Sequence, residues 1–95
     1  MRKQLAITER QFEVLSLLWD HGPMTVRELL DRLPREQPLP YTTVLGLLQV
    51  MEKAGLVTHD AENQTHRYRP VMSRQQATSK LLTDFVQRFF RGSAE

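Results

Sequence analysis

The chain has 95 residues, 40% of them hydrophobic, and a formal net charge of +2 at pH 7. That length holds one domain with a small core, and so low a net charge excludes a histone-like polycation, although ten of the thirteen basic residues are arginine, which can grip phosphate through two bonds at once. With no cysteine there is no disulfide, thiolate metal site or cysteine nucleophile, which fits a reducing cytoplasm.

Residues 1–7 read as a short arm carrying Arg2 and Lys3, with an apolar run too short for a signal peptide. Thr8 with Gln11 forms a capping box, which predicts the start of a first helix. Phe12, Leu15 and Trp19 share one face of it, and Val14 and Leu18 widen that face. A helix apolar over so much of its circumference belongs in the middle of a core. Gly22-Pro23 stops it. Thr25 and Glu28 form a second capping box, and Val26, Leu29, Leu30 and Leu33 repeat the helical spacing over a short second helix. Pro34 to Pro40, with three prolines, reads as a loop.

The third helix has a hard start and a hard stop. Pro40 is tolerated only around the first helical positions, and Gly55 suits the left-handed residue that ends a helix. Between them Val44, Leu47, Leu48 and Met51 fall at i, i+3, i+4 and i+7, one buried stripe. The opposite face carries Thr42, Gly46, Gln49 and Lys53. It is small, polar and nearly uncharged, and Thr and Gln can both hydrogen-bond base edges. The backbone N–H groups of the first turn, Tyr41 to Thr43, attract phosphate.

Leu56 to Asp60 and Thr65 to Arg69 read as two short strands. Ala61-Glu62-Asn63-Gln64 between them makes a turn without the glycine that tight hairpins prefer. Val57 and Tyr68 share the inner face. Arg67 and Arg69 alternate and so point to one side, and Asn63, Gln64 and Thr65 at the tip can reach a backbone or a minor groove. Taken alone such arginines are more often a solvated strand face; together with the third helix they point to DNA. Pro70 ends the second strand.

Ser73 with Gln76 is a third capping box. It opens a last helix of about 17 residues, roughly 25 Å, ended by Gly92. In it Leu81, Leu82, Phe85, Val86, Phe89 and Phe90 recur at i, i+4 and i+8, too apolar for a free surface. Either they fold back onto the first helix or they meet the same helix of a second copy. The breadth of the apolar surface favours a homodimer interface, and a symmetric DNA reader needs a two-fold partner to span two half-sites.

Other chemistry finds little support. The neighbours Asp20-His21 and His59-Asp60 have no nucleophile at a recognisable spacing. The four glycines are isolated, so there is no phosphate loop, and no enzyme is expected. If the hairpin pairs around Glu62-Asn63, His59 and His66 lie opposite each other. Two histidines fall short of the roughly four ligands of a closed metal site, so a cross-strand polar pair is the preferred reading, with no metal and no cofactor. No segment approaches the roughly 20 apolar residues of a membrane span, and no membrane partner is expected.

The expected fold is mainly α with a small β-hairpin: a winged helix-turn-helix, three helices plus wing, over residues 1–71, then a C-terminal dimerisation helix over residues 72–92. The expected function is a dimeric reader of DNA. The rival is a winged helix used as a protein-interaction module without DNA binding.

The chain also resembles the penicillinase-repressor and methicillin-resistance-repressor (BlaI/MecI-type) family of bacterial winged-helix regulators. The resemblance is carried by Thr8-Glu9-Arg10-Gln11-Phe12-Glu13-Val14-Leu15, Leu18-Trp19, Thr25-Val26-Arg27-Glu28-Leu29, Tyr41-Thr42-Thr43-Val44, Met51-Glu52-Lys53-Ala54-Gly55-Leu56-Val57 and His66-Arg67-Tyr68-Arg69-Pro70. It covers roughly residues 5 to 92; each motif is weak alone, and the ordered set is specific. It implies a dimeric repressor on an inverted-repeat operator in double-stranded DNA, with the helix from Tyr41 in the major groove and the hairpin as wing. Carried over by position, Thr42, Thr43 and Gly46 would face bases and Arg67 the backbone. Members of that family usually continue into further C-terminal helices that complete the dimer. In the resistance repressors those helices contain the point where proteolysis relieves repression. The helix after Ser73 is therefore expected to be part of that region, and a sensor protease or another inducer to be a partner.

Overall fold

A computed structural model of the chain describes residues 7–33 and 39–93. The elements run α1 (Glu9–His21), α2 (Val26–Arg32), α3 (Tyr41–Lys53), β1 (Val57–Glu62), β2 (Thr65–Pro70) and α4 (Arg74–Ser93). The N-terminal arm, apart from Ile7, and residues 34–38 of the proline-rich loop lie outside the described residues.

Local chemistry sets the helix starts. Thr8 Oγ1 accepts from the Gln11 amide at 3.1 Å, and Gln11 Oε1 accepts from the Thr8 amide at 3.0 Å. The same reciprocal pair forms between Thr25 and Glu28 and between Ser73 and Gln76. Each satisfies two amides that a helix start leaves open. In contrast, α3 starts at Pro40 with no side-chain cap. Its far end closes in a Schellman motif: the Leu56 amide reaches Met51 O at 2.9 Å, the Gly55 amide reaches Glu52 O at 3.0 Å, and Gly55 has φ +83°.

The core lies between the first three helices and the base of the hairpin. Val14, Leu15 and Leu18 of α1, Leu29 of α2, Val44, Leu48 and Met51 of α3, and Leu56, Val57 and Tyr68 are all buried. Each large aliphatic side chain removed from water this way contributes about 1.5–3 kcal/mol before conformational entropy is set against it. Three expected core positions sit at its margin instead. Leu47 is half-buried, and so are Phe12 and Trp19. Trp19 has a reason to stay at the edge: its indole N–H donates to Met72 O at 2.9 Å while its ring meets Phe12 edge-on.

The hairpin differs from expectation in its turn and register. Strand β1 begins at Val57 rather than Leu56 and runs to Glu62, leaving a two-residue loop at Asn63 and Gln64 with φ of 52° and 69°. Both residues take the left-handed conformation that a type I′ turn demands, without glycine. The pairing is Val57 with Pro70, His59 with Tyr68 and Ala61 with His66 on one face, and Thr58 with Arg69, Asp60 with Arg67 and Glu62 with Thr65 on the other. His59 and His66 therefore share a face, as expected, but sit diagonally rather than opposite. A further pairing was not anticipated: Met24, between α1 and α2, bonds Tyr68 in both directions at 3.0 and 2.8 Å, so the hairpin gains a third, single-residue partner.

The last helix is longer than expected. It runs 20 residues, through Gly92 to Ser93. Its base is fixed to α1 by Arg74, whose guanidinium is 2.7 Å from Asp20 and lies over the Trp19 ring, and Ala77 one turn on is fully buried. A helix of that length spans about 30 Å, and the molecule measures 53 × 28 × 26 Å. Among the described residues no helix is long and apolar enough to cross a membrane. Three helices followed by a two-stranded wing, with a fourth helix appended, make the chain a winged helix-turn-helix.

Candidate nucleic-acid interface

The amphipathic register of α3 turns its polar side outward. Thr42, Thr43, Gln49 and Lys53 are exposed, Tyr41 is 44% exposed, and Gly46 is half-buried. Helical spacing sets Thr43, Gly46, Val50 and Lys53 along one ridge. Val50 on that ridge is 56% exposed, although its apolar character and position beside Met51 hide it from a face reading. A methyl side chain there suits a thymine methyl. Apart from its chain neighbours and the helix's own backbone, no atom stands within 4 Å of a Cβ built on Gly46, so the glycine is not required by any packing neighbour among the described residues.

The wing carries its arginines on the face away from α3. Arg67 Nη1 is 3.4 Å from Glu28 Oε1 and its Nε 4.0 Å from Glu62, while Arg69 Nε donates to Asp60 at 2.9 Å. All of these side chains are well exposed, so each pair contributes little, about 0–1 kcal/mol. A phosphate can replace such a carboxylate partner at small cost.

Between α3 and the inner face of the wing lies an open cleft of about 590 Å³. Leu45 and Tyr68 line it on the less exposed side, and Arg27, Tyr41, Gln49, Gln64, Thr65 and His66 are the exposed polar groups around it. Arg27 reaches it from the start of α2, where its guanidinium sits 5.4 Å above the Tyr41 ring. His59 Nδ1 is 2.8 and 3.1 Å from the two oxygens of Glu52, and its ring stacks on His66 at 4.5 Å. Burial, followed by the Glu52 carboxylate and Tyr41, holds the Tyr68 phenol above its ordinary 10.0. The hydroxyl therefore stays neutral at physiological pH.

Among the residues singled out in the sequence, Tyr41, Thr42, Thr43, Gly46, Gln49 and Lys53 come together on α3, and Arg67 and Arg69 come together on the outer wing. The sequence did not single out Arg27 or Val50, and it set His66 aside as a polar pair. Arg27 comes to the site only through the packing of α2 against α3, which no local motif encodes. The apolar set on α4 is separate from both groups. Leu82, Phe85, Phe89 and Phe90 are 61–64% exposed, Val86 is 39% exposed and Leu81 is half-buried. They do not fold back onto α1.

Comparison with known proteins agrees with this architecture. The sequence model of the penicillinase repressor family matches residues 7–95. The chain is 33% identical over 85 residues to the transcriptional regulator BlaI from two strains of Mycobacterium tuberculosis, a match that covers 88% of this chain and 62% of the relative. It is 23% identical over 93 residues to the penicillinase repressor of Bacillus licheniformis, covering 98% of this chain and 73% of that protein. The chain thus spans less than two thirds of the length of the mycobacterial relatives. Among solved structures, HlyU from Vibrio cholerae matches with a TM-score of 0.62 at 28% identity, over 82% of this chain and 79% of that one. A transcriptional regulator from Thermotoga maritima matches with a TM-score of 0.66 at 21% identity, over 90% and 62%, a likeness of fold alone. The curated relatives are named as regulators and a repressor rather than as enzymes, in keeping with the expectation of a non-catalytic protein.

Proposed function

The chain belongs to the penicillinase repressor family, and from that premise we propose that it is a sequence-specific DNA-binding repressor acting as a dimer on an inverted-repeat operator. The carrying observation is the outward side of α3: Thr42, Thr43, Gln49 and Lys53 are exposed, and beside them stands Gly46, a glycine that no neighbouring group requires. In this reading residues 1–71 form the DNA-binding unit and residues 72–92 a dimerisation segment. α3 enters the major groove through Thr42, Thr43, Gly46, Gln49 and Lys53, with Tyr41 at its mouth. The wing arginines Arg67 and Arg69 exchange their exposed carboxylates for phosphates. Repression follows from occlusion: a dimer seated on a promoter excludes the polymerase. Relief by a sensor protease or another inducer belongs to the same proposal.

The exposed Phe85, Phe89 and Phe90 favour a second reading, a protein-interaction module that binds no DNA. Titration of a labelled duplex carrying the inverted repeat upstream of the chain's own gene, at rising salt, separates the two. A DNA reader loses affinity steeply, with a slope of log K against log salt of about −0.9 for each phosphate contacted. Absence of binding at low salt, or binding insensitive to salt, supports the interaction module instead.

A further inference from the structure

We propose that the cleft between α3 and the wing seats a DNA phosphodiester, with His66 as its ligand in the protonated form and with His59 and Glu52 behind it. This rests on the DNA-binding reading above. A duplex that meets α3 in one groove and the wing tip in the next must pass a sugar-phosphate strand between those two elements. The cleft occupies that place, and Arg27, Gln49, Gln64 and His66 present donors around it.

The difficulty for a phosphate is Glu52, a carboxylate among the same lining residues. Its oxygens only accept hydrogen bonds, so the hydrogen between them and His59 sits on Nδ1, at 2.8 and 3.1 Å. His59 thus covers the carboxylate and presents its ring to His66, stacked at 4.5 Å with the planes 24° apart. The other charged or titratable groups facing this pair are Arg27 from α2, Tyr41 from α3 and Tyr68 from β2. Asp60, Glu62, Arg67 and Arg69 lie on the opposite face of the hairpin. An arriving phosphate brings a negative charge beside His66 and so favours its imidazolium, which then donates to the phosphate in a charge-assisted bond.

Binding therefore takes up protons, at most about one per subunit. The sign follows from linkage: a complex that holds more protons than its free parts gains affinity as pH falls. Imidazoles in general change charge between about pH 5 and 8, so the comparison spans pH 6 to 8. The chain has three histidines, His21, His59 and His66, and His21 ends α1, outside the cleft lining.

The test is fluorescence anisotropy with a random-sequence duplex of about 30 base pairs at about 100 mM salt, because phosphate contacts are independent of sequence. Wild type is expected to bind about tenfold more tightly at pH 6 than at pH 8. His66→Gln flattens that to within about twofold while keeping its circular dichroism spectrum, and His21→Gln retains the wild-type slope. His66→Lys, with a charge that does not titrate in this range, binds at both pH values about as tightly as wild type does at pH 6. A flat wild-type profile, or a slope that survives in His66→Gln, overturns the assignment. Failure of the wild type to bind the duplex at any pH, even at low salt, overturns the DNA-binding reading itself.

Discussion

At Gly46 the requirements of folding and of binding pull apart. A glycine inside a helix costs about 0.5–1 kcal/mol relative to alanine, and here a methyl group would meet no atom within 4 Å beyond its chain neighbours and the helix's own backbone. Gly46→Ala should therefore raise the thermal midpoint by a few degrees, since a domain of this size shifts about 4–8 °C per kcal/mol. If the helix backbone approaches bases at that point, the same change weakens operator binding; tighter or unchanged binding removes Gly46 from the interface. Thr43 and Gln49 are exposed polar groups on the same helix. Truncating either to alanine should cost on the order of 1–3 kcal/mol on the operator, through the base hydrogen bond it removes, and little on random DNA. Equal weakening on both would assign them to the backbone. Arg67 calls for a different signature. Its partner Glu28 is held independently by the Thr25 amide at 3.0 Å, so Arg67→Ala leaves the fold intact. It should weaken binding almost uniformly over all sequences and make the salt slope shallower by about one. An unchanged slope would mean that Arg67 stays with Glu28 in the complex.

Elements whose ends are set by local chemistry were legible, and elements set by tertiary partners were less so. Three capping boxes, Pro40 and Gly55 fixed the starts of α1, α2 and α4 and both ends of α3, because each acts within one turn of the residue that carries it. The hairpin was harder. Asn63 and Gln64 form a tight turn without glycine, so the turn chemistry that usually announces a register was missing, and the partner of His59 is Tyr68, two residues beyond the expected His66. The Met24 pairing with Tyr68 was invisible for another reason: a single residue has no periodicity. Gly92 was misread as a stop because a glycine ends a helix only where the chain beyond it turns away, and α4 continues through it. The same division runs through the candidate site. The outward side of α3 follows from 3.6-residue spacing, whereas Arg27 and His66 join the cleft only once α2, α3 and the wing have packed. The turn yields its own prediction. Gln64 holds a left-handed φ of 69° that costs a side-chain-bearing residue about 1–2 kcal/mol. Gln64→Gly should relieve it, less what the freer unfolded chain gives back, for a net gain of about 0.5–1 kcal/mol in a denaturant melt. A loss of stability instead would show that the Gln64 side chain supports the turn.

At the scale of the whole molecule, α4 sets the quaternary question. Its base is fixed through Arg74 and the Trp19–Met72 hydrogen bond, while Leu82, Phe85, Val86, Phe89 and Phe90 face solvent in the single chain. A second copy of the same helix would cover these side chains symmetrically, and would hold two α3 helices about one DNA turn, roughly 34 Å, apart. Phe85→Asp and Phe89→Asp test this cleanly, because those positions are 64% and 62% exposed in the monomer and a charge there costs the isolated fold little. In an interface, an unpaired buried carboxylate costs several kcal/mol. The variants should therefore keep the circular dichroism spectrum of the wild type, sediment as monomers where the wild type sediments as a dimer, and lose tight binding to a full operator. They should still bind a half-site weakly, since the core around Leu15, Leu18, Leu48 and Met51 is untouched. Variants that unfold would place Phe85 and Phe89 in the core of the domain itself. Wild type that sediments as a monomer at high micromolar concentration would show that α4 alone does not hold the dimer together.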